Sequence, residues 1–340
     1  MIKPLLLTIL TALTVLCVFF LCVFIYHTIR SKREAALIKP LGRLVEIGSG
    51  SLCVYGYDGD NDRFNMTLVN SPSEKMCVYV EGGGEKTIVF MAGSGTPSPI
   101  LDFKSLYNLL GGEYRIAVVE KFGYGFSDDS DRSRDIDTML ENTRTALAKA
   151  DLKAPYVLCP HSMSGLEAIY WANKYPNEVS AIIGLDMAVP EYYEHMKINP
   201  LRFKLNKIIC KMGIARLISN QFINSLYSKS LLAENDKKIV KSIFSRKCGS
   251  SALINECTKC VENAVTVGAM NVPDCPMLLF ISNGSGGTGF DKEMWRKIPM
   301  DYISQADNAE CVELDCSHYV HNYEYKAIAE KIKEFLCKCR

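Results

Sequence analysis

Short apolar runs alternate with segments of helical period along most of the chain. Runs rich in β-branched and aromatic residues predict strands, and apolar residues repeated every three or four positions predict helices. The predicted strands are 86–91, 115–120, 156–160, 179–186, 277–282 and 311–315, and the predicted helices are 135–151, 166–175 and 323–336. Strands that alternate with helices indicate an α/β fold, in which a mostly parallel sheet is covered by helices on both faces.

The longest apolar stretch lies at the N-terminus, where Leu5 to Tyr26 contains 22 residues without a charge. A hydrocarbon core about 30 Å thick is crossed by about 20 such residues, so the stretch predicts a single transmembrane anchor at residues 5–26. A cleaved signal peptide has an apolar region of about 7 to 15 residues followed by a small-residue cleavage site, and neither feature is found. Arg30, Lys32 and Arg33 follow the stretch, which by the positive-inside rule favours a cytoplasmic position for the rest of the chain.

A basic segment lies between two predicted strands. Residues 197–247 contain twelve Lys/Arg and two acidic residues, interleaved with Leu, Ile, Phe and Met. Because the net charge of the whole chain is only +1, the remainder is acidic. A basic amphipathic segment can rest on anionic lipid headgroups, at about 1 kcal/mol for each nearby Lys or Arg. A solvated helical face is the alternative, and both remain open.

The candidate chemistry lies at Ser162. An apolar run from Tyr156 leads to Pro-His-Ser-Met-Ser-Gly at residues 160–165, and a helical pattern follows. A serine on a sharp strand-to-helix turn, with small neighbours two positions away, is typical of a nucleophile elbow. Ser164 and Gly165 are small, whereas Pro160 occupies the position where the pattern has glycine. The alternative for Ser162 is an ordinary helix N-cap.

The order of the motifs resembles the α/β-hydrolase family over residues 75–190 and 274–340. Four segments carry the resemblance: the oxyanion-type loop 92–95, the G-x-G-x-S-D-like segment 122–128, the elbow 160–165 and the histidine-bearing segment 316–321. The resemblance implies an α/β-hydrolase core at residues 40–190 and 274–340, with a helical cap inserted at 191–273. An extra polar segment at 57–73 interrupts the first predicted hairpin.

A serine nucleophile needs an imidazole base, and a further group must orient that base. The chain has five histidines, which are His27, His161, His195, His318 and His321. His318 directly follows the last predicted strand, so its loop can reach the elbow, and we predict it as the base. His161 adjoins Ser162 but should point away from it on the turn. His321 is closer to the final helix and is predicted to be a packed or capping residue.

The position of the acid that would orient His318 departs from the usual family pattern. In the family, it usually follows the penultimate strand, but residues 282–289 contain no carboxylate. Some lipases that the chain resembles take the acid from the strand after the elbow helix, within a Gly-Leu-Asp sequence, and this implies Asp186. Asn283 and Asp291 remain alternatives.

Backbone N–H groups are expected to stabilise the oxyanion, and the donors predicted for this role are Ser94 and Met163. Gly93 and Gly95 suit the unusual backbone path of that loop. The cysteines at 257, 260, 337 and 339 lack the spacing of a zinc finger, and no phosphate-binding loop follows a strand, so we predict neither a metal nor a cofactor.

Together these patterns predict a membrane-anchored serine hydrolase that cleaves an ester or related acyl compound through an acyl-enzyme. The predicted partners are a small acyl substrate and membrane lipid, without nucleic acid. A peptidase or amidase with the same triad, and a non-catalytic binding module, are the alternatives. In the Gram-positive relatives that the chain resembles, such an anchor is expected to leave the hydrolase domain outside the cell, so the membrane face also stays open.

Overall fold

The secondary structure follows the predicted alternation of strands and helices. The computed structural model describes residues 2–48, 51–58, 63–70, 73–194 and 196–339, and for 2–3, 51–58, 63–70 and 200 the backbone only. The strands are β1 (Arg43–Ile47), β2 (Ser51–Asp58), β3 (Arg63–Asn70), β4 (Glu74–Glu81), β5 (Thr87–Met91), β6 (Arg115–Glu120), β7 (Tyr156–Pro160), β8 (Val179–Leu185), β9 (Met277–Ile281) and β10 (Ala309–Glu313). The helices are α1 (Ile2–Leu37), α2 (Pro99–Asp102), α3 (Lys104–Tyr107), α4 (Ile136–Lys149), α5 (Ser164–Lys174), α6 (Pro200–Lys211), α7 (Ile214–Leu226), α8 (Glu234–Lys247), α9 (Ser251–Gly268), α10 (Lys292–Ile303), α11 (Val320–Tyr323) and α12 (Tyr325–Lys338).

One large sheet organises the described residues, with the strand order β1-β4-β6-β5-β7-β8-β9-β10. The strand pairs β1/β4 and β4/β6 are antiparallel, and every pairing from β6 to β10 is parallel. The carboxyl ends of parallel strands meet at one edge of the sheet. The loops after β5, β7, β8 and β10 therefore converge there, and this is the edge where open α/β sheets bind ligands.

Apolar cores cover both faces of the sheet, as a parallel sheet requires. Strands β5, β7 and β9 are buried along their whole lengths. The core on one face includes apolar residues of α4, α5 and α10, and the core on the other face includes those of α2, α3 and α12. The expected α/β architecture with a mostly parallel sheet is confirmed.

A separate hairpin interrupts the antiparallel edge of the sheet. β2 and β3 pair with each other in a two-stranded antiparallel sheet, between β1 and β4 in the chain. The inserted segment thus begins at Ser51, earlier than the polar segment 57–73 indicates, because the sequence of β2 is largely apolar. Residues 59–62 and 71–72 of that segment lie outside the described residues.

Helices α6 to α9 occupy the chain between β8 and β9, within residues 191–273, and we call them the cap.

A buried charge cluster joins α9 to the sheet domain. Glu256 of α9 accepts hydrogen bonds from Lys121 (2.7 Å), Tyr124 (3.1 Å) and Arg134, and Lys121 also donates to Glu167 (2.6 Å). Two cations thus face two carboxylates, so no buried charge in the cluster lacks an opposite partner.

The N-terminal helix α1 continues without a break through and beyond Leu5–Tyr26. It is long and apolar enough to cross a membrane, and only 6% of its most apolar window is buried. Beyond the apolar stretch, α1 packs against α7 and α8 of the cap.

Candidate active site

Ser162 lies on a sharp turn between β7 and α5, with a backbone φ of 53°. Such a positive φ is strained for a residue other than glycine, and it persists only where the surroundings enforce it. The carbonyl oxygen of Ser162 accepts hydrogen bonds from the N–H of Gly165 (2.9 Å) and of Ala188 (2.8 Å). A Cβ on Gly165 would lie 2.1 Å from the carbonyl oxygen of Ala188, which explains the small residue there.

The three residues predicted as a triad lie in hydrogen-bond contact. His318 Nε2 is 2.8 Å from Ser162 Oγ, and His318 Nδ1 is 2.6 Å from Asp186 Oδ2. Ser162 is half-buried, whereas Asp186 is 2% and His318 8% exposed. The imidazole and the carboxylate are thus shielded from water more fully than Ser162 is. This is the arrangement in which an imidazole removes a serine proton while a carboxylate fixes its tautomer.

Asp186 follows β8 directly, with a φ of 49°, and is held by donors from two other elements. Its Oδ1 accepts from the N–H of Ser282 (2.6 Å) and from Nε1 of Trp295 (2.9 Å), and its Oδ2 accepts from Ser282 Oγ (2.7 Å). Ser282 follows β9, the position where the family usually has its acid. A serine there supports a carboxylate that comes from the neighbouring strand. The sequence analysis did not predict the roles of Ser282 and Trp295. The absence of a carboxylate at 282–289 was the signal that another group occupies the usual position of the acid.

The two alternative acids make other contacts. Asn283 Nδ2 donates to Asp315 (3.3 Å), and Asp291 caps α10 by accepting from the N–H of Met294 (2.8 Å). Neither forms a hydrogen bond with His318 in the structure.

The two amides predicted to stabilise an oxyanion lie on the loop after β5, for Ser94, and on the elbow itself, for Met163. Within the described part of the chain, the N–H groups of Ser94 and Met163 have no backbone acceptor. Gly93 adjoins the elbow so closely that an added Cβ would lie 2.5 Å from Ser162 Cβ. The cap reaches this loop as well, because Cys257 Sγ of α9 lies 3.1 Å from Ser94 Oγ.

His161 and His321 form a buried layer behind the triad. His161 Nε2 is 3.2 Å from the carbonyl oxygen of His318, and the rings of His161 and His321 are 4.7 Å apart. His321 Nε2 is 2.8 Å from Asp102 Oδ2, so His321 is packed, as predicted. Burial, together with the nearby His321 and His318, lowers the pKa of His161 well below its ordinary value. His161 is therefore a neutral donor that supports the loop of His318.

Among the described residues, one group could hold a metal ion by distance. It consists of Asp102, His161 and His321, whose possible metal-ligand atoms lie within 4.8 Å of one another. The hydrogen bond from His321 already occupies a carboxylate oxygen, so we interpret the trio as structural support. The cysteines of α9 and of the C-terminus do not belong to this group.

The remaining histidines lie elsewhere. His27 contacts the cap through Arg216 (3.2 Å). His195 lies outside the described residues.

Comparison with known proteins gives a relative over nearly the whole chain. No family model matches the sequence. The uncharacterized protein YbdG of Bacillus subtilis is 34% identical over 327 residues, which cover 94% of this chain and 92% of YbdG. The chain belongs to the YbdG family. A second B. subtilis protein, the uncharacterized YqjL, is 31% identical over 109 residues, 32% of this YbdG-family chain and 42% of YqjL.

Solved structures show the fold. Cfl2 from Burkholderia cenocepacia superposes with a TM-score of 0.60 at 18% identity, covering 77% of this chain and 92% of Cfl2. The haloalkane dehalogenase DbeA from Bradyrhizobium elkanii superposes with a TM-score of 0.57 at 13% identity, covering 87% of this chain and 97% of DbeA. The YbdG-family chain therefore has the α/β-hydrolase fold, with Ser162, His318 and Asp186 at the carboxyl edge of its sheet.

Proposed function

We propose that the protein is a serine hydrolase that cleaves an ester or related acyl compound through an acyl-enzyme. The continuous hydrogen-bonded path from Ser162 Oγ through His318 to Asp186 Oδ2 carries this proposal. The strained elbow supports it, because a positive φ at a serine persists only where the surrounding structure enforces it.

The proposed reaction follows from the distances in the site. His318 Nε2 takes the proton of Ser162 Oγ as this oxygen attacks the acyl carbon, and Asp186 stabilises the imidazolium. The N–H groups of Ser94 and Met163 stabilise the charge on the carbonyl oxygen, and one such donor is worth roughly 2.7–4 kcal/mol. His318 then protonates the leaving group, which departs and leaves the acyl group on Ser162. Water attacks the acyl-enzyme, with His318 again as base, and releases the acid.

The identity of the nucleophile favours acyl over alkyl substrates. An alkyl halide, the substrate class named for DbeA, would convert a serine hydroxyl into an ether, which water does not cleave under mild conditions. An acylated serine is an ester, and a second round of the same chemistry hydrolyses it. Acyl transfer is therefore the reaction that lets Ser162 turn over.

A peptidase or amidase activity is the second candidate, because the same triad serves it. In that reaction, His318 Nε2 would protonate an amine leaving group in place of an alcohol. The missing carboxylate after β9 is the observation that favours a non-catalytic binding module. Against it, Asp186 receives hydrogen bonds from the Ser282 N–H, Ser282 Oγ, Trp295 Nε1 and His318 Nδ1, so a carboxylate from β8 contacts the imidazole instead.

We also propose that α1 anchors the protein in a membrane. A core helix of the same composition would be largely buried, whereas α1 keeps its apolar side chains exposed along Leu5–Tyr26. An exposed apolar surface of this size in water would favour aggregation.

A fluorophosphonate probe on membranes of expressing cells tests the function. Wild-type protein should be labelled, and Ser162→Ala should lose labelling entirely. Ser94→Ala is the matched control, because it keeps the backbone N–H that the mechanism uses and should remain labelled. Labelling of Ser162→Ala would refute the proposal. Protease treatment of intact cells before labelling would report which membrane face carries the domain.

A further inference from the structure

One face of α1 is covered where the helix leaves its apolar stretch. Phe20, His27, Ser31 and Glu34 are half-buried and Val23 is buried, while most of the side chains between them are exposed. The spacings of three and four residues place all five on one side of the helix. This side of α1 packs against the cap helices α7 and α8.

Arg216 of α7 forms the polar part of this contact. Its guanidinium binds Glu34 through two bonds (2.8 and 2.9 Å) and also donates to Ser31 (3.1 Å) and His27 (3.2 Å). Arg216 is 8% exposed, so the ion pair is largely shielded from solvent. Burial alone would raise the pKa of Glu34, but the bonds to Arg216 lower it below its ordinary value. The cap therefore packs directly on α1 through a largely buried ion pair.

The contact fixes the depth of the cap relative to the apolar stretch. Gly213 connects α6 and α7, and a Cβ on it would lie 2.3 Å from His27 Cβ. His27 is the first residue after Leu5–Tyr26. The covered face continues back to Val23 and Phe20, which at 1.5 Å per residue lie about 5 and 9 Å before Tyr26. The corner between α6 and α7 thus lies at the level where the apolar stretch of α1 ends.

The surface of α6 suits that position. Leu201, Leu205 and Ile208 are 73%, 55% and 56% exposed, and their spacing of four and three residues forms one apolar stripe. Exposed Arg202 and Lys204 lie on opposite flanks of the stripe. A helix with an apolar stripe and basic flanks is typical of helices that lie in the membrane interface.

Helix α7 extends the apolar and uncharged surface. Leu217 and Ile218 are 53% and 60% exposed, and neither α6 nor α7 contains an acidic residue. Not all of the Lys and Arg residues of the cap present their charge to solvent. Arg216 binds Glu34, and Lys247 donates to the carbonyl oxygen of Ser127. The exposed cations of α6 are Arg202, Lys204 and Lys211.

We propose that the exposed face of α6 and α7 inserts into the headgroup region of an anionic bilayer, namely the membrane that α1 spans. The proposal rests on the proposed anchoring of α1. Charge complementarity favours anionic lipid, and continuity with the α1 contact favours the same bilayer over a second protein. The cap would then be held at the membrane surface, where an acyl substrate dissolved in lipid is concentrated.

Tryptophan fluorescence of the full chain tests the docking. The two natural tryptophans, Trp171 and Trp295, are 0% and 4% exposed and give a constant background. Leu205→Trp, reconstituted in phosphatidylglycerol-containing vesicles with brominated acyl chains, should be quenched at least twofold more than Leu109→Trp. Leu109 is a matched control, because it is 37% exposed and lies in the sheet domain. Equal quenching of the two variants would overturn the proposal.

Two further comparisons test the parts of the argument. Quenching of Leu205→Trp should fall when phosphatidylcholine replaces the anionic lipid, and equal quenching in both would overturn the electrostatic part. Adding Glu34→Gln should reduce the quenching, whereas adding Glu113→Gln, which removes an exposed ion pair with Lys333, should not. Carbonate extraction separates the premise from the proposal: release of the protein would refute the anchor, while retention without quenching would refute only the docking.

Discussion

Replacing Gly93 with alanine should inactivate the site without unfolding the protein. An added Cβ would lie 2.5 Å from Ser162 Cβ, 2.9 Å from the carbonyl oxygen of His161 and 3.2 Å from Ser162 Oγ. Carbon atoms in contact lie about 3.5–4.0 Å apart, so the glycine loop and the elbow must separate by about 1 Å. The elbow is fixed by hydrogen bonds on both sides, and the loop that carries the amide of Ser94 is therefore the part expected to move.

The magnitude follows from what that displacement removes. A shift of about 1 Å takes the Ser94 amide out of hydrogen-bond range of the developing oxyanion, and the loss of one such donor costs roughly 10²–10³-fold in kcat. Binding of the ground-state substrate depends less on this donor. The effect should therefore appear in kcat rather than in KM.

The assay is steady-state hydrolysis of a short chromogenic ester by purified full-length protein, with thermal unfolding to verify the fold. Gly95→Ala is the matched control. Gly95 lies on the same loop with a φ of 81°, but a Cβ there meets no atom within 4 Å. Gly95→Ala should lower the free energy of unfolding by about 1–2 kcal/mol through backbone strain, and it should leave kcat within about fivefold of wild type.

Two results would refute this reasoning. If Gly93→Ala kept kcat within fivefold of wild type, the loop would not supply the oxyanion donor. If Gly95→Ala lost as much activity as Gly93→Ala, general strain in the loop rather than collision with Ser162 would explain the loss.

Three other changes test the site and its support. Asp186→Asn should lower kcat by up to about 10⁴-fold, because the amide no longer fixes the tautomer of the imidazole, while Asn283→Ala should stay near wild type in the same ester assay; the reverse pattern would move the orienting group to the later loop. Gly165→Ala should lower Tm markedly, because its Cβ would collide with a backbone carbonyl at 2.1 Å that cannot rotate away, and an unchanged melting curve would contradict the elbow geometry. Since the pKa of His161 is lowered in the folded state, the unfolded chain binds a proton that the folded chain does not. The free energy of unfolding should therefore fall below pH 6.5, by at most about 1.4 kcal/mol per pH unit from this group, and urea unfolding at pH 7.5 and 5.5 should show a smaller difference for His161→Gln.

The fold and the position of Ser162 on a strand-to-helix turn were accessible from the sequence, because both depend on local patterns. Apolar runs of strand length, helical periodicity and the small residues around Ser162 act over a few positions, and a sharp turn requires such residues wherever it occurs. The extent of the inserted hairpin was not accessible, since the apolar sequence of β2 resembles a sheet strand. The strand order was not accessible either, because hydrogen bonding between strands distant in sequence decides it.

The sequence by itself determined an α/β core, a long apolar N-terminal helix and a short set of candidate residues at Ser162 and His318. The sequence implied Asp186 as the orienting acid only through a resemblance and left Asn283 and Asp291 open; tertiary structure shows which of the three contacts the imidazole. The parallel pairing of β8 with β9 brings Ser282 against Asp186, and packing of α10 adds Trp295, so three donors from remote segments position that carboxylate. It also decided that Arg216 faces Glu34, a contact across 182 positions of the chain. Contacts of this kind are absent from any local pattern, because they exist only when the sheet and the cap have assembled.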